Sequence, residues 1–314
     1  MSLPISAVVP ALADLALLEA NLPALLRELD GAGGELVLVD DTGTGILAGW
    51  ASETFAGLSG DRLRVVSRAD NGGFGPALLD GARIARGELL LAMNPDVRVR
   101  PGFLEPLIQA LEDPEVFAVS PRVLLNGDEA RPESHNALRL EDGRLRVVPR
   151  TSSPSAGPKP IPFAIGGAFL MRRGEFLAGG GFDPLFAPFY WEDVDLCLCA
   201  WRKGRRIEEV PGSVVEHHHR GTIGSTVPED LVLAAIEKNR HLLLWKHLDE
   251  GEVARDHLTS LWRDALDASM AGRREELLWL ALALQELPRA MDSRAALGVP
   301  PITMQAALRL SDPD

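Results

Sequence analysis

Three carboxylates within four residues, Glu192, Asp193 and Asp195, follow an aromatic run of Phe186, Phe189, Tyr190 and Trp191. A helical pattern from Glu192 to about Lys203 puts all three in a first turn, where the helix dipole eases ionisation of acids. An acid beside aromatic walls suits a general base acting on a substrate hydroxyl; the same acids also serve as ordinary N-terminal caps. A second acid is fixed differently. The apolar run 89–93 stops at Asn94-Pro95-Asp96, so a strand tip carries a carboxylate beside a rigid proline. Cations of the Mg or Mn type take hard oxygen ligands of this kind, and an Asx-Pro turn uses the same residues. Glu216-His217-His218-His219 ends an extended piece, with His217 and His219 on one face and His218 on the other. A histidine here suits a metal shared with Asp96, or the cluster is simply solvated.

The elements that must position these groups alternate regularly. Strands are expected at 5–9, 35–40, 62–67 and 88–93, with helices at 14–29, 46–57 and 76–86 and another from Pro101. Short loops and continuously apolar strands predict a parallel α/β sheet, in which ligands sit beyond the carboxyl ends of the strands. Pro10, Asp40-Asp41, Asn71 and Asn94-Pro95-Asp96 all fall at those ends. Asp40 suits a ribose or base hydrogen bond, or a turn. The glycines of NGGFG (71–75) allow close backbone approach at a helix N-terminus, which favours an anion. No GxGxxG follows the first strand, so a dinucleotide fold has no direct support.

From about residue 122 the chain turns polar, reading as a hairpin excursion and then a Pro/Ser/Gly-rich loop, before strand character resumes at 162–173. RIEEV and GSVVEHHH read as two further extended pieces. Beyond Val227 the pattern is helical, at 229–248, 253–268 and 273–288, with a proline-broken tail. The C-terminal helices suit packing on the sheet, a homodimer, or rest on a membrane that carries the acceptor.

Bulk properties narrow the class. The 314 residues carry 45 acids against 32 Lys and Arg, a net charge of −13, which argues against nucleic acid and against docking on an anionic membrane. Cys197 and Cys199 are too few for a zinc knuckle and read as small buried groups, fitting a reducing cytosol. The first residues lack a basic n-region, and Pro10 and Asp14 break the apolar run, so neither a signal peptide nor a transmembrane segment is expected.

Six pieces in order, AVVP, LVLVDD, NGGFGPALLDGARIARGELLLAMNPD, AIGGAFLMRR, GGFDPLFAPFYWEDVDLCLCAWRKGRRIEEVPGSVVEH and KNRHLLLWKH, span about residues 4–245. Together they resemble the inverting nucleotide-sugar glycosyltransferases of family 2, and within it the rhamnosyltransferase-like and galactofuranosyltransferase-like members. The resemblance implies an α/β GT-A fold: a Rossmann-like, mostly parallel sheet with flanking helices and a C-terminal helical extension. It divides the chain into a GT-A domain at 1–227 (nucleotide-binding half 1–121, acceptor half 122–227) and a helical region at 228–314.

By position, Asn94-Pro95-Asp96 stands at the family's DxD motif. The resemblance then implies that Asp96 and His217 hold Mg²⁺ or Mn²⁺ on the donor diphosphate. Pro10, Asp40, Asn71, Gly73 and Asn94 surround the nucleotide. Gly166, Gly167, Ala168 and Trp191 shape the donor and acceptor pocket. Asp193 is the base, with Glu192 as its substitute. The implied donor is a dTDP- or UDP-sugar, and the acceptor is a glycan, lipid-linked or small molecule. The setting is cytoplasmic or peripheral at the inner membrane face, in cell-envelope polysaccharide or glycoconjugate synthesis. Three departures surround the nucleotide: Thr42-Gly43-Thr44-Gly45 lacks the family's second acid, Ala11-Leu12-Ala13 lacks a polar residue, and Leu79-Asp80 replaces an asparagine. They frame the alternative, a degenerate scaffold that binds a nucleotide or a partner protein without turnover.

Overall fold

The computed structural model describes residues 5–57, 62–129, 132–150, 157–218, 228–249 and 251–313. Strands β1 (Ile5–Ala11), β2 (Glu35–Asp40), β3 (Leu63–Ser67) and β4 (Leu89–Met93) alternate with helices α1 (Leu15–Gly31), α2 (Ile46–Thr54) and α3 (Phe74–Ile84). The four strands run parallel in the order β3-β2-β1-β4. Every residue of β1 and β2 is buried, because helices cover both faces. Strand alternation divides the side chains: Val8, Val37 and Val39 pack with Ala77 and Leu78 of α3. Ala7, Val9, Leu36 and Leu38 pack with Leu18, Leu22 and Leu25 of α1 on the other face. Gly81 lets α3 lie close, since a Cβ there would stand 2.8 Å from Val39 Cγ2 and drive into Val8.

The second half of the sheet is mixed. It uses β5 (Val97–Val99), β6 (Val116–Leu125), β9 (Lys159–Pro160), β10 (Ala168–Arg172) and β11 (Arg206–His217), and the full order is β3-β2-β1-β4-β10-β6-β11-β5 with β9 beside β11. Strand β10 runs antiparallel between β4 and β6, whereas β11 runs parallel to β6 and antiparallel to β5. The two extended pieces expected around Pro211-Gly212 are one strand. The Pro-Gly pair is absorbed as an irregularity between Val210 and Val214, where the register on β6 shifts. The polar excursion contains the expected hairpin, β7 (Asn136–Glu141) and β8 (Arg144–Pro149). Helices α4 (Leu104–Ala110), α5 (Arg173–Ala178) and α6 (Glu192–Trp201) complete this half.

The C-terminal region forms α7 (Glu229–His247), α8 (Glu252–Met270), α9 (Leu278–Gln285), α10 (Leu287–Leu297) and α11 (Met304–Ser311). The helix expected over 273–288 is divided: Pro288 sits in the first turn of α10, where its missing N–H costs nothing, whereas Pro300 and Pro301 of the tail lie between α10 and α11. Leu242, Leu243 and Leu244 of α7 and Met304, Ala307 and Leu308 of α11 join the same buried cluster as Phe169 and Met171 of the sheet. Among the described residues no helix is long and apolar enough to cross a membrane.

Candidate active site

The corner between β4 and β5 is held at three points. Asn94 N donates to Gly167 O at 2.8 Å, Val97 N donates to Asn94 O at 3.2 Å, and Asn21 Nδ2 donates to Pro95 O at 2.8 Å. The antiparallel register sets Val97 opposite His217, so Asp96, one residue earlier, lies beside that histidine. Their tips meet: His217 Nε2 is 3.4 Å from Asp96 Oδ1. The other ring nitrogen, Nδ1, is 2.7 Å from Glu133 Oε2. Burial opposes charge on the ring, but hydrogen bonds and charges from Asp96 and Glu133 outweigh it and raise its pKa to about 10. His219 lies outside the described residues.

Asp96 Oδ1 is buried, and its one approach is the long 3.4 Å ion-pair contact with His217 Nε2, which falls short of a well-formed hydrogen bond. A buried carboxylate oxygen beside an imidazole nitrogen is a donor set that fits a divalent cation, with proton and metal competing for the ring.

The acid-bearing helix is positioned by a separate bend. Tyr190 and Trp191 adopt left-handed backbone at φ 70° and 76°, a conformation non-glycine residues rarely take and which costs on the order of 1–3 kcal/mol each. Helix α7 pins this bend. Asn239 Nδ2 donates to Phe186 O at 2.7 Å and to Phe189 O and Tyr190 O at 2.9 Å each, and Lys238 Nζ donates to Ala187 O at 2.7 Å. The bend delivers Glu192 and Asp193 at the start of α6. Asp193 Oδ2 accepts from Gly166 N at 2.9 Å, and Oδ1 accepts from Val194 N at 2.8 Å. Burial outweighs these hydrogen bonds and lifts the Asp193 carboxyl to about 6, with Glu133 adding a smaller push. Burial and the neighbouring Asp193 charge lift Glu192 to about 8.

Asp195 turns away, since residues two apart on a helix face nearly opposite sides. It meets Lys246 Nζ at 2.8 Å and His247 Nε2 at 2.7 Å. Asp195, Cys199 and His247 gather ligand atoms within 4.8 Å of one another. The Lys246 ammonium already neutralises Asp195 there, so this cluster ties α6 to α7.

Two glycines join the metal-type corner to the acid helix. Gly167 O receives Asn94 N, while Gly166 N binds Asp193. A Cβ on Gly167 would collide with the Asn94 amide, and one on Gly166 would sit 3.2 Å from Asp193 Oδ2. Asp96, His217, Asn94, Gly166, Gly167, Glu192 and Asp193 therefore share one region.

Other expected residues are placed differently. Ala168 pairs with Met93 inside the sheet and is fully buried, and the Trp191 ring lies in the core. Pro10 pairs with Val39 and is buried near the end of β1. Both Asp40 oxygens serve their own loop: Oδ1 accepts from Thr42 N at 3.0 Å and from its hydroxyl at 2.5 Å, and Oδ2 from Leu47 N at 2.9 Å. Asp41 shapes the next loop, accepting from Gly72 N at 3.0 Å, Gly73 N at 2.8 Å and Arg68 Nη1 at 2.5 Å. Gly73 has φ 81°, and Asn71 Oδ1 accepts its N–H at 3.1 Å. A cavity of about 440 Å³ behind this turn is lined by residues 66–70 with Gly72, Asp80, Arg83 and Ile84.

Sequence reasoning passed over Glu133 and Asn239. Glu133 sits in a polar excursion with no periodicity to flag it. Asn239 interrupts a long amphipathic stretch, and a polar residue on its buried face was the available signal.

Residues 6–177 match the family model Glycosyl transferase family 2. Pre-mycofactocin glycosyltransferase of Mycobacterium tuberculosis is 28% identical over 205 residues, covering 64% of this chain and 41% of that protein. Polypeptide N-acetylgalactosaminyltransferase 3 of Drosophila melanogaster is 25% identical over 208 residues, 62% of this chain and 31% of that protein. The chain thus spans less than half the length of these relatives. Among solved structures, GalNAc-T7 with UDP, GalNAc and Mn²⁺ superposes at TM-score 0.62 with 20% identity, covering 79% of this chain and 48% of that one. The mannosyltransferase PcManGT from Pyrobaculum calidifontis, in complex with GDP-Man and Mn²⁺, gives 0.53 with 21% identity over 98% of this chain and 81% of that one. These likenesses identify the GT-A fold.

Proposed function

This chain belongs to glycosyl transferase family 2, and on that premise we propose that it moves a hexosyl or deoxyhexosyl group from a nucleoside-diphosphate sugar to an acceptor hydroxyl with inversion. The observation that carries this reading is the glycine bridge, in which adjacent Gly166 and Gly167 hold Asp193 and Asn94, two residues before Asp96. Asp96 and His217 would hold Mg²⁺ or Mn²⁺, which when bound neutralises charge on the departing diphosphate. Asp193, lifted to about 6, is ionised at neutral pH yet basic enough to take the acceptor proton. Its two backbone hydrogen bonds fix the carboxylate, so the hydroxyl it binds is oriented for in-line attack on the anomeric carbon. The motifs NGGFG, Asn94-Pro95-Asp96 and WEDVDL support placing the chain near the rhamnosyl- and galactofuranosyl-transferring members.

The test is nucleoside diphosphate release from UDP-, dTDP- and GDP-sugars with and without Mn²⁺, with the product anomer read by NMR. Asp193→Asn should lower turnover by about 10²–10⁴-fold, the usual worth of general-base catalysis. Absence of metal-dependent turnover with the whole panel, or a retained anomer, would overturn the assignment. One observation favours a second reading, binding without turnover: Asp40 and Asp41 spend their oxygens on their own loops. Nucleotide binding that raises the melting temperature, without turnover, would decide for it.

A further inference from the structure

Glu133 reaches the site through long-range pairing. Pro132 bridges antiparallel to Leu124, and Glu133 N donates to Val123 O at 2.7 Å, folding this segment back over β6. Strand β11 pairs parallel with β6, setting His217 opposite Leu125. Glu133 thus meets the imidazole at Nδ1, 2.7 Å away, while Nε2 lies 3.4 Å from Asp96 Oδ1. A neutral imidazole has one N–H and one lone pair. With Nδ1 donating to Glu133, Nε2 is the nitrogen whose proton a cation would displace, leaving its lone pair beside the Asp96 oxygen.

Building on the metal-dependent reading above, we propose that Glu133 is a positioning residue that locks His217 in its Nδ1–H tautomer and aims Nε2 at a divalent cation shared with Asp96. A carboxylate behind a metal-binding histidine orients the ring and raises its basicity, and its loss typically weakens metal binding 10–100-fold. Ser134 secures the same segment: its hydroxyl accepts from Val123 N at 3.0 Å and donates to Glu209 Oε1 at 2.6 Å. The carboxylate is therefore presented from a fastened backbone.

The test is Mn²⁺ affinity, read from the electron paramagnetic resonance of free aqueous Mn²⁺ at fixed pH in the presence of UDP or GDP. Glu133→Ala should weaken binding by about 10–100-fold. Glu133→Gln, whose amide oxygen accepts the same hydrogen bond, should stay within about threefold, and His217→Ala should fall at least as far as Glu133→Ala. The imidazole ¹⁴N coupling to Mn²⁺ should persist in Glu133→Gln and fade in Glu133→Ala. If the alanine variant does not fold, Glu133→Met fills the same volume without accepting the bond and takes its place. Unchanged affinity in the alanine or methionine variant overturns the proposal. So does a glutamine variant as weak as alanine, which would make Glu133 a direct ligand. Wild-type protein that takes up no Mn²⁺ overturns the metal-dependent reading as well, whereas normal wild-type uptake with an unaffected alanine variant overturns this proposal alone.

Discussion

Asp193 and Glu192 hold the clearest conflict between stability and chemistry. Burial raises both carboxyls, so the folded protein binds their protons more tightly than the unfolded chain does. Their contribution is therefore favourable at low pH and is lost as pH rises from about 4 through about 8. Glu192→Gln removes most of that slope, and its melting temperature should exceed wild type by several degrees at pH 8 and match it near pH 4. A melting-temperature series against pH checks this. The same shift sets the rate profile: kcat/KM should climb as pH rises through about 6, where Asp193 loses its proton, and the limb should vanish in Asp193→Asn.

The bend before α6 exists because α7 holds it. One side-chain amide shares its two protons among three carbonyls, those of Phe186, Phe189 and Tyr190, and thereby sustains two successive left-handed residues. Asn239→Ala leaves buried carbonyls without a donor, which should cost about 2–4 kcal/mol in denaturant unfolding. It should also lower kcat more than it raises KM for the nucleotide sugar, because it moves the acid rather than the donor site. Asn239→Asp should fail equally, since a carboxylate offers no proton. A variant with normal kcat would remove α7 from the positioning role.

At the scale of the molecule, the helices beyond residue 227 share a core with the sheet. Leu243 is fully buried in the cluster that also contains Phe169 and Met171. Leu243→Ala should therefore destabilise the whole protein in one cooperative transition, by about 2–5 kcal/mol. A separate, earlier transition in calorimetry would show instead that the C-terminal helices melt as their own unit. One face of α8 remains outside this core: Leu258, Trp262, Leu266 and Met270, spaced four apart, are all exposed.

The alternation of strands and helices was legible from residue order because apolar periodicity and turn chemistry are local properties. So were the strand-tip acid Asp96, the acids opening α6 and His217 closing β11, each marked by its place in an element. Tertiary structure decided what those groups touch. The antiparallel register of β5 on β11 brought His217 to Asp96, a fold-back onto β6 brought Glu133 to His217, and a helix fifty residues away pinned the bend that presents Asp193. Asp40 shows the converse: its place at a strand end suggested a ligand, yet its own loop takes both oxygens. Pairing partners and hydrogen-bond destinations depend on segments far apart in the chain, so no local pattern encodes them.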